Sequence, residues 1–160
     1  MNSQPSIGFI IPSSNRLTEP QFHAYAPPGV GVHVTRLRMT GKFHKPWSDL
    51  KPQLAEAAAA LSDVRPSIIV FHCTANSMES GLAHEAAIVE TIQQASGCRT
   101  ITTAEAIREA FTHCAIKKLV LISPYVQATN QHEVSYLSET GFTVLHELGL
   151  ALESQGYGNV

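Results

Sequence analysis

The chain has 160 residues, a globular composition and a formal net charge of −2. Without an excess of basic residues the chain has little positive charge with which to bind a phosphate backbone, so we expect no nucleic-acid partner. Its three cysteines, at positions 73, 98 and 114, lack CxxC spacing, which argues against a disulfide framework and a structural zinc site. No apolar run approaches the ~20 residues of a membrane span and no signal peptide is recognisable, so we expect a cytoplasmic protein with no membrane partner.

Short apolar runs alternate with helical patterns along the whole chain. The runs predict six strands, at residues 7–11, 30–39, 68–71, 99–102, 118–123 and 142–148. Helices are predicted between them, near residues 18–25, 49–61, 84–96, 103–114 and 130–140. Alternating β and α units specify an α/β fold, a parallel doubly wound sheet with right-handed crossovers.

Two helix starts carry capping signals. Thr18 with Gln21 and Thr102 with Glu105 have the spacing of a capping box. Cys114 falls on the apolar stripe of the helix that begins after Thr102, so we expect it in the core. Neither Cys114 nor Cys98 is assigned a chemical role.

The stretch around which the chain is organised is residues 67–80. An unbroken apolar run typical of a buried central strand, residues 68–71, ends in a polar turn that contains Cys73, Thr74 and Asn76. A strand, a polar turn and a helix place that turn at the carboxyl edge of a parallel sheet, where open α/β folds bind ligands. Helix-end amides there would favour a reactive Cys73 thiolate, whereas the plainer interpretation is a small buried apolar residue.

Two other polar turns follow predicted strands in the same way. Ser14 and Asn15 come after the first strand, and Tyr125 comes after the fifth. Turn formation and helix capping alone would account for Asn15, while a functional interpretation gives its amide a substrate carboxylate to bind. If the strands share a sheet or a cleft, Asn15, Cys73 and Tyr125 are expected to face one polar site.

Together these turns resemble the aspartate/glutamate racemase superfamily, in particular the branch of maleate cis–trans isomerase and arylmalonate decarboxylase. The resemblance rests on residues 8–15 (GFIIPSSN), 72–76 (HCTAN), 102–104 (TTA) and 123–125 (SPY), and extends over essentially the whole chain. It implies two similar α/β domains with the active site between them, a small carboxylate or dicarboxylate substrate, and no cofactor or metal.

The resemblance also implies roles for particular residues. Cys73 matches the catalytic cysteine of the first domain, which favours isomerase or racemase chemistry over decarboxylation. The remaining matches concern substrate binding: the resemblance implies that role for Ser14, Asn15, Thr74, Ala75, Asn76 and Tyr125.

In the family a second cysteine lies on a later strand of the second domain, and neither Cys98 nor Cys114 matches it. The resemblance thus implies a first α/β domain at residues 1–115 and the opening β-α-β of a truncated second domain at 116–160. So short a unit cannot cover both faces of its strands. We expect the strands at 118–123 and 142–148 either to extend the first sheet or to pair with another chain, as in a homo-oligomer. In the alternative, they leave apolar surface exposed.

Several interpretations remain open on the sequence alone. A maleate-type isomerase would use Cys73 for thiolate addition, and a racemase would use it for proton transfer. An arylmalonate decarboxylase-like lyase is the alternative activity, and a non-catalytic module that binds a small carboxylate is the alternative class. A single flavodoxin-like sheet of all six strands is the alternative fold.

Overall fold

In a computed structural model of the protein, residues 4–39 and 45–152 are described. Strands and helices alternate in the predicted order. The strands are Ser6–Pro12 (β1), Gly31–Leu37 (β2), Ile68–Phe71 (β3), Thr100–Thr102 (β4), Lys118–Ser123 (β5) and Thr143–Gly149 (β6). The helices are Thr18–Tyr25 (α1), Trp47–Ser62 (α2), Thr74–Met78 (α3), Gly81–Ser96 (α4), Thr103–His113 (α5) and Gln127–Glu139 (α6).

The first four strands form one sheet in the order β2-β1-β3-β4. Strand β1 runs parallel to both β2 and β3, with Ile10 opposite Phe71 of β3. Because β1 and β3 are parallel and in register, the segments that follow them leave at the same edge of the sheet. Side chains of both strands are fully buried, among them Ile10, Ile11, Ile69 and Phe71. The predicted parallel α/β sheet is therefore confirmed.

Strands β5 and β6 form a separate two-stranded parallel sheet. The alternative of one flavodoxin-like sheet with all six strands is therefore wrong. The chain also splits into two compact units, Met1–His72 with Ile88–Ile101, and Cys73–Ala87 with Thr102–Val160. The predicted boundary between domains at residues 1–115 and 116–160 stays a prediction. Within the described part of the chain, no helix is long and apolar enough to cross a membrane.

Three local predictions differ from the structure. Cys114 is exposed, not in the core, because the stripe of α5 is only partly covered and Ala110 is exposed as well. The N-cap of α1 is Leu17 and Thr18 is already the first helical residue, so the first predicted capping box is wrong. Thr102 Oγ1 accepts from the Glu105 amide as expected. The turn after Cys73 contains an additional short helix, α3.

One face of the β5–β6 sheet is exposed and apolar. Side chains alternate between the two faces of a strand, so Val120 and Ile122 share a face, and Leu148 lies opposite Ile122. A register shift between Leu119 and Val120 leaves Leu145 unpaired with β5, and its side chain is exposed as well. Val120, Ile122, Leu145 and Leu148 are 55%, 65%, 63% and 49% exposed, respectively. These four residues are called the outer face below. Exposed apolar surface is one of the outcomes expected for this segment, whereas the expectation that its strands extend the first sheet is wrong.

The outer face is expected to drive self-association of the isolated chain. The double variant Ile122→Lys/Leu145→Lys places two charges on it without disturbing buried side chains, so it should shift the chain towards the monomer. Size-exclusion chromatography with light scattering over a dilution series measures this. Val64→Lys is the matched control, since Val64 is 46% exposed but lies in the other unit. Association that the double variant leaves unchanged would contradict the expectation.

Candidate active site

Cys73 follows β3 after one residue, His72, and occupies the N-cap position of α3. Its backbone is extended, with φ −151° and ψ 99°, and the residue is only 8% exposed. The Cys73 carbonyl accepts from the amide of Ser77 at 3.0 Å and from its hydroxyl at 2.7 Å. These two bonds fix the turn, and Thr74 and Ala75 follow Cys73 as the half-buried first residues of α3.

The thiol of Cys73 is held by Asn76. The Sγ atom donates to Asn76 Oδ1 at 3.1 Å, and Asn76 Nδ2 donates in turn to Glu79 Oε2 at 3.2 Å. Asn76 is itself buried at 7% exposure. The polar turn therefore orients the sulfur through a buried amide whose other end is fixed by a carboxylate.

Burial dominates the electrostatics of Cys73. It raises the pKa of the thiol to about 12, the hydrogen bond with the backbone of Asn76 lowers it, and the negative charges of Glu79 and Glu133 raise it further. The resting group is a neutral thiol at physiological pH. A backbone amide in the first turn of α3 favours the thiolate, as expected of a helix end, but removal of the thiol from water outweighs it.

Glu133 is a buried acid that the sequence analysis missed. It is 3% exposed, and its Oε1 atom has no hydrogen-bond partner within the described residues. Burial raises the pKa of its carboxyl to about 7. A signal was present in the sequence, because Asn130, Glu133 and Leu137 are spaced i, i+3 and i+7 and so share the inner face of α6.

A second buried acid, Glu85, joins three helices of the same unit. Arg108 Nη1 lies 2.8 Å from Glu85 Oε2 and 2.6 Å from the Tyr136 hydroxyl, which donates to Glu85 Oε2 at 2.7 Å. The Thr102 hydroxyl donates to Glu85 Oε1. Burial and the bond to Glu85 raise the pKa of Tyr136, which keeps its proton. We call these four residues the Glu85 network.

Tyr125 lies in the turn after β5, as predicted. Its amide donates to Ser123 Oγ at 3.2 Å, and its carbonyl accepts from the Ala151 amide at 3.0 Å. A Cβ atom at Gly149 would lie 2.7 Å from that carbonyl, so only glycine fits beside the turn. The turn is thus fixed by its neighbours, and Tyr125 itself is half-buried.

Ser14 and Asn15 lie in the turn after β1. Asn15 is buried, and its Oδ1 atom accepts from the amides of Leu17 at 3.1 Å and Thr18 at 3.0 Å. The capping interpretation is therefore confirmed for the oxygen of Asn15. Because Asn15 belongs to one compact unit and Cys73 and Tyr125 to the other, their shared cleft stays a prediction.

The residues described include no group of three or more His, Cys, Asp or Glu side chains arranged to hold a metal ion. What the turn at Cys73 does offer is a thiol with a fixed hydrogen-bond acceptor. A thiol of this kind can act as a nucleophile once it loses its proton, or can pass that proton to carbon.

Comparison with known proteins finds related sequences over most of the chain. A family model described as arylmalonate decarboxylase matches residues 7–156. A maleate isomerase of Pseudomonas putida is 27% identical over 150 residues, which cover 86% of this chain and 60% of that protein. A maleate isomerase of Nocardia farcinica is 25% identical over 147 residues, with coverage of 86% and 59%.

Solved structures match the same fold. A maleate cis–trans isomerase of Nocardia farcinica, with a covalently bound succinylcysteine intermediate, matches with a TM-score of 0.83 at 22% identity, covering 95% of this chain and 66% of that one. An unliganded arylmalonate decarboxylase matches with a TM-score of 0.78 at 18% identity, covering 92% and 64%. The present chain spans about 60% of the length of the curated relatives it matches.

Proposed function

This chain belongs to the arylmalonate decarboxylase family, and from that premise we propose that it acts as a cofactor-independent, cysteine-based isomerase of a small cis-dicarboxylate. Maleate is the substrate class favoured by its curated relatives, several of which are maleate isomerases. The observation that carries the proposal is Cys73, placed at the end of β3 with its thiol held by Asn76 at 3.1 Å.

In the proposed reaction the Cys73 thiol first passes its proton to solvent, and this proton is recovered when the thiolate leaves at the end. Sγ then bonds to one alkene carbon of the substrate. The π-electron pair moves to the other carbon and into its carboxylate, so the former double bond becomes a single bond and can rotate. Return of the electron pair expels the thiolate and leaves the trans isomer, so no atom is gained or lost. Turn amides and the side chains of Asn15, Thr74 and Tyr125 are proposed to bind the carboxylates.

We also propose that Ser14, Ala75 and Asn76 border the substrate, that the protein forms a homo-oligomer, and that it works in the cytoplasm. The outer face supports the oligomer, since solvent-exposed aliphatic side chains favour association.

The experiment for this proposal is a substrate panel followed by proton NMR. Conversion of maleate into the trans isomer is expected, with no decarboxylation of an arylmalonate and no α-proton exchange on aspartate or glutamate. Decarboxylation alone would replace the proposal with the lyase alternative, and exchange alone would replace it with a racemase. Saturable maleate binding without any turnover would identify a binding module.

A further inference from the structure

Glu133 and Cys73 are two buried acids in the same compact unit. They are 3% and 8% exposed, and the helices that carry or follow them, α6 and α3, pack against each other. The negative charge of Glu133 acts on the Cys73 thiol, so the two groups lie within electrostatic range. Where little water screens them, two nearby negative charges repel each other, so ionisation of one group makes ionisation of the other less favourable.

The oxygen atoms of Glu133 differ from those of the other carboxylates around α6. Glu79 accepts from Asn76, Glu85 accepts from Arg108 and Tyr136, and Glu147 of β6 accepts from amide side chains of α6. Glu133 Oε1 has no such donor within the described residues. An ionised Glu133 is therefore poorly compensated, and burial favours the protonated carboxyl.

We propose that Glu133 is a positioning residue for Cys73: its carboxyl must hold a proton before the neighbouring thiol can lose one. The ionised acid with the neutral thiol, and the neutral acid with the thiolate, differ only in the place of one proton, so charge and atoms balance. The Glu133–Cys73 pair then carries one negative charge in either state. This deepens the proposed function, on which it rests only in making Cys73 the reacting group.

This linkage between the protonation of Glu133 and that of Cys73 makes the ionisation of the Cys73 thiol depend on pH in the neutral range. Burial raises the pKa of Glu133 to about 7, so its ionisation near that pH changes the field at the thiol. As pH rises through 7 the new carboxylate opposes thiol ionisation. Below that pH Glu133 is neutral and the opposition is absent. The titratable and charged groups of the packed elements are Glu79, Glu85, Arg108, Glu147 and His84. Burial lowers the pKa of His84 and the charge of Glu79 raises it.

The test is a pH titration of the Cys73 Cβ signal by carbon NMR, in a background where Cys98→Ser and Cys114→Ser leave one cysteine. An inflection near pH 7 is expected in this background and in Glu79→Gln and Glu139→Gln. It is expected to vanish in Glu133→Gln, where the charge cannot form. Glu139 is an exposed residue of the same helix, so its variant controls for the loss of a charge on α6.

A second readout is the alkylation rate of Cys73 above the inflection, which should rise about threefold or more in Glu133→Gln because the opposing charge is gone. A role of Glu133 limited to packing would leave both readouts unchanged. The linkage is overturned if the parent protein shows no inflection, or if the inflection persists in Glu133→Gln. The titration uses no substrate, so a failure of the linkage is distinguishable from a failure to isomerise maleate.

Discussion

Replacing Cys73 with serine is expected to lower the rate of maleate isomerisation by about a thousandfold or more. Serine keeps the size of the side chain and can still donate to Asn76, but its hydroxyl gives up a proton far less readily than a thiol. Addition to the alkene then lacks its nucleophile while the substrate can still bind. Initial rates from proton NMR with maleate measure the loss.

Cys114→Ser is the matched control, because Cys114 is exposed at the end of α5. Its rate should stay within about twofold of the parent rate, since surface substitutions rarely disturb a site. Equal activity of Cys73→Ser and the parent protein would remove Cys73 from the reaction.

Arg108→Met is expected to lower the free energy of unfolding by about 2 to 3 kcal/mol. The substitution leaves the Glu85 carboxylate, whose side chain is 6% exposed, without its cation. The loss falls below that of a fully enclosed ion pair because the Arg108 side chain is 26% exposed and Tyr136 and Thr102 still donate to Glu85. Chemical denaturation followed by circular dichroism measures it.

One further variant separates the effect of the unpaired Glu85 charge on stability from the effect of lost Arg108 packing, and another serves as a control. Glu85→Gln in the Arg108→Met background removes the unpaired charge and should recover part of the loss. Arg99→Met, at an exposed arginine elsewhere in the chain, should change stability by no more than about 0.5 kcal/mol. A double variant less stable than Arg108→Met would show that the uncompensated carboxylate is not the cause.

Much of the strand and helix framework follows from local pattern. The strands predicted at residues 68–71 and 118–123 match β3 and β5 to the residue. Four or more consecutive aliphatic or aromatic side chains between turn formers are typical of a short buried strand. The capping bond predicted at Thr102 is also confirmed, since its hydroxyl and the amide of Glu105 are only three residues apart in the sequence. Cys73 lies after its strand for the same local reason.

What depends on distant partners was not predictable. Glu85 bonds to Tyr136, 51 residues later, and no local pattern pairs an acid with a tyrosine at that separation. The burial of Glu133 and of Cys73 is likewise set by how α3 and α6 pack, so the raised pKa values could not be predicted from residue type. The prediction that Cys114 lies in the core is wrong for the opposite reason: its position on an apolar stripe is local, but no other element in the described part of the chain covers that end of the stripe.

The proposal that Cys73 bonds to substrate carbon is tested most directly by peptide mass mapping after incubation with maleate and rapid acid quench. A succinyl adduct, formed as the acid protonates the carbanion carbon, is expected on the peptide that contains Cys73, lost in Cys73→Ser and retained in Cys114→Ser. Isomerisation with no adduct on that peptide, or with an adduct only on Cys98 or Cys114, would contradict the account.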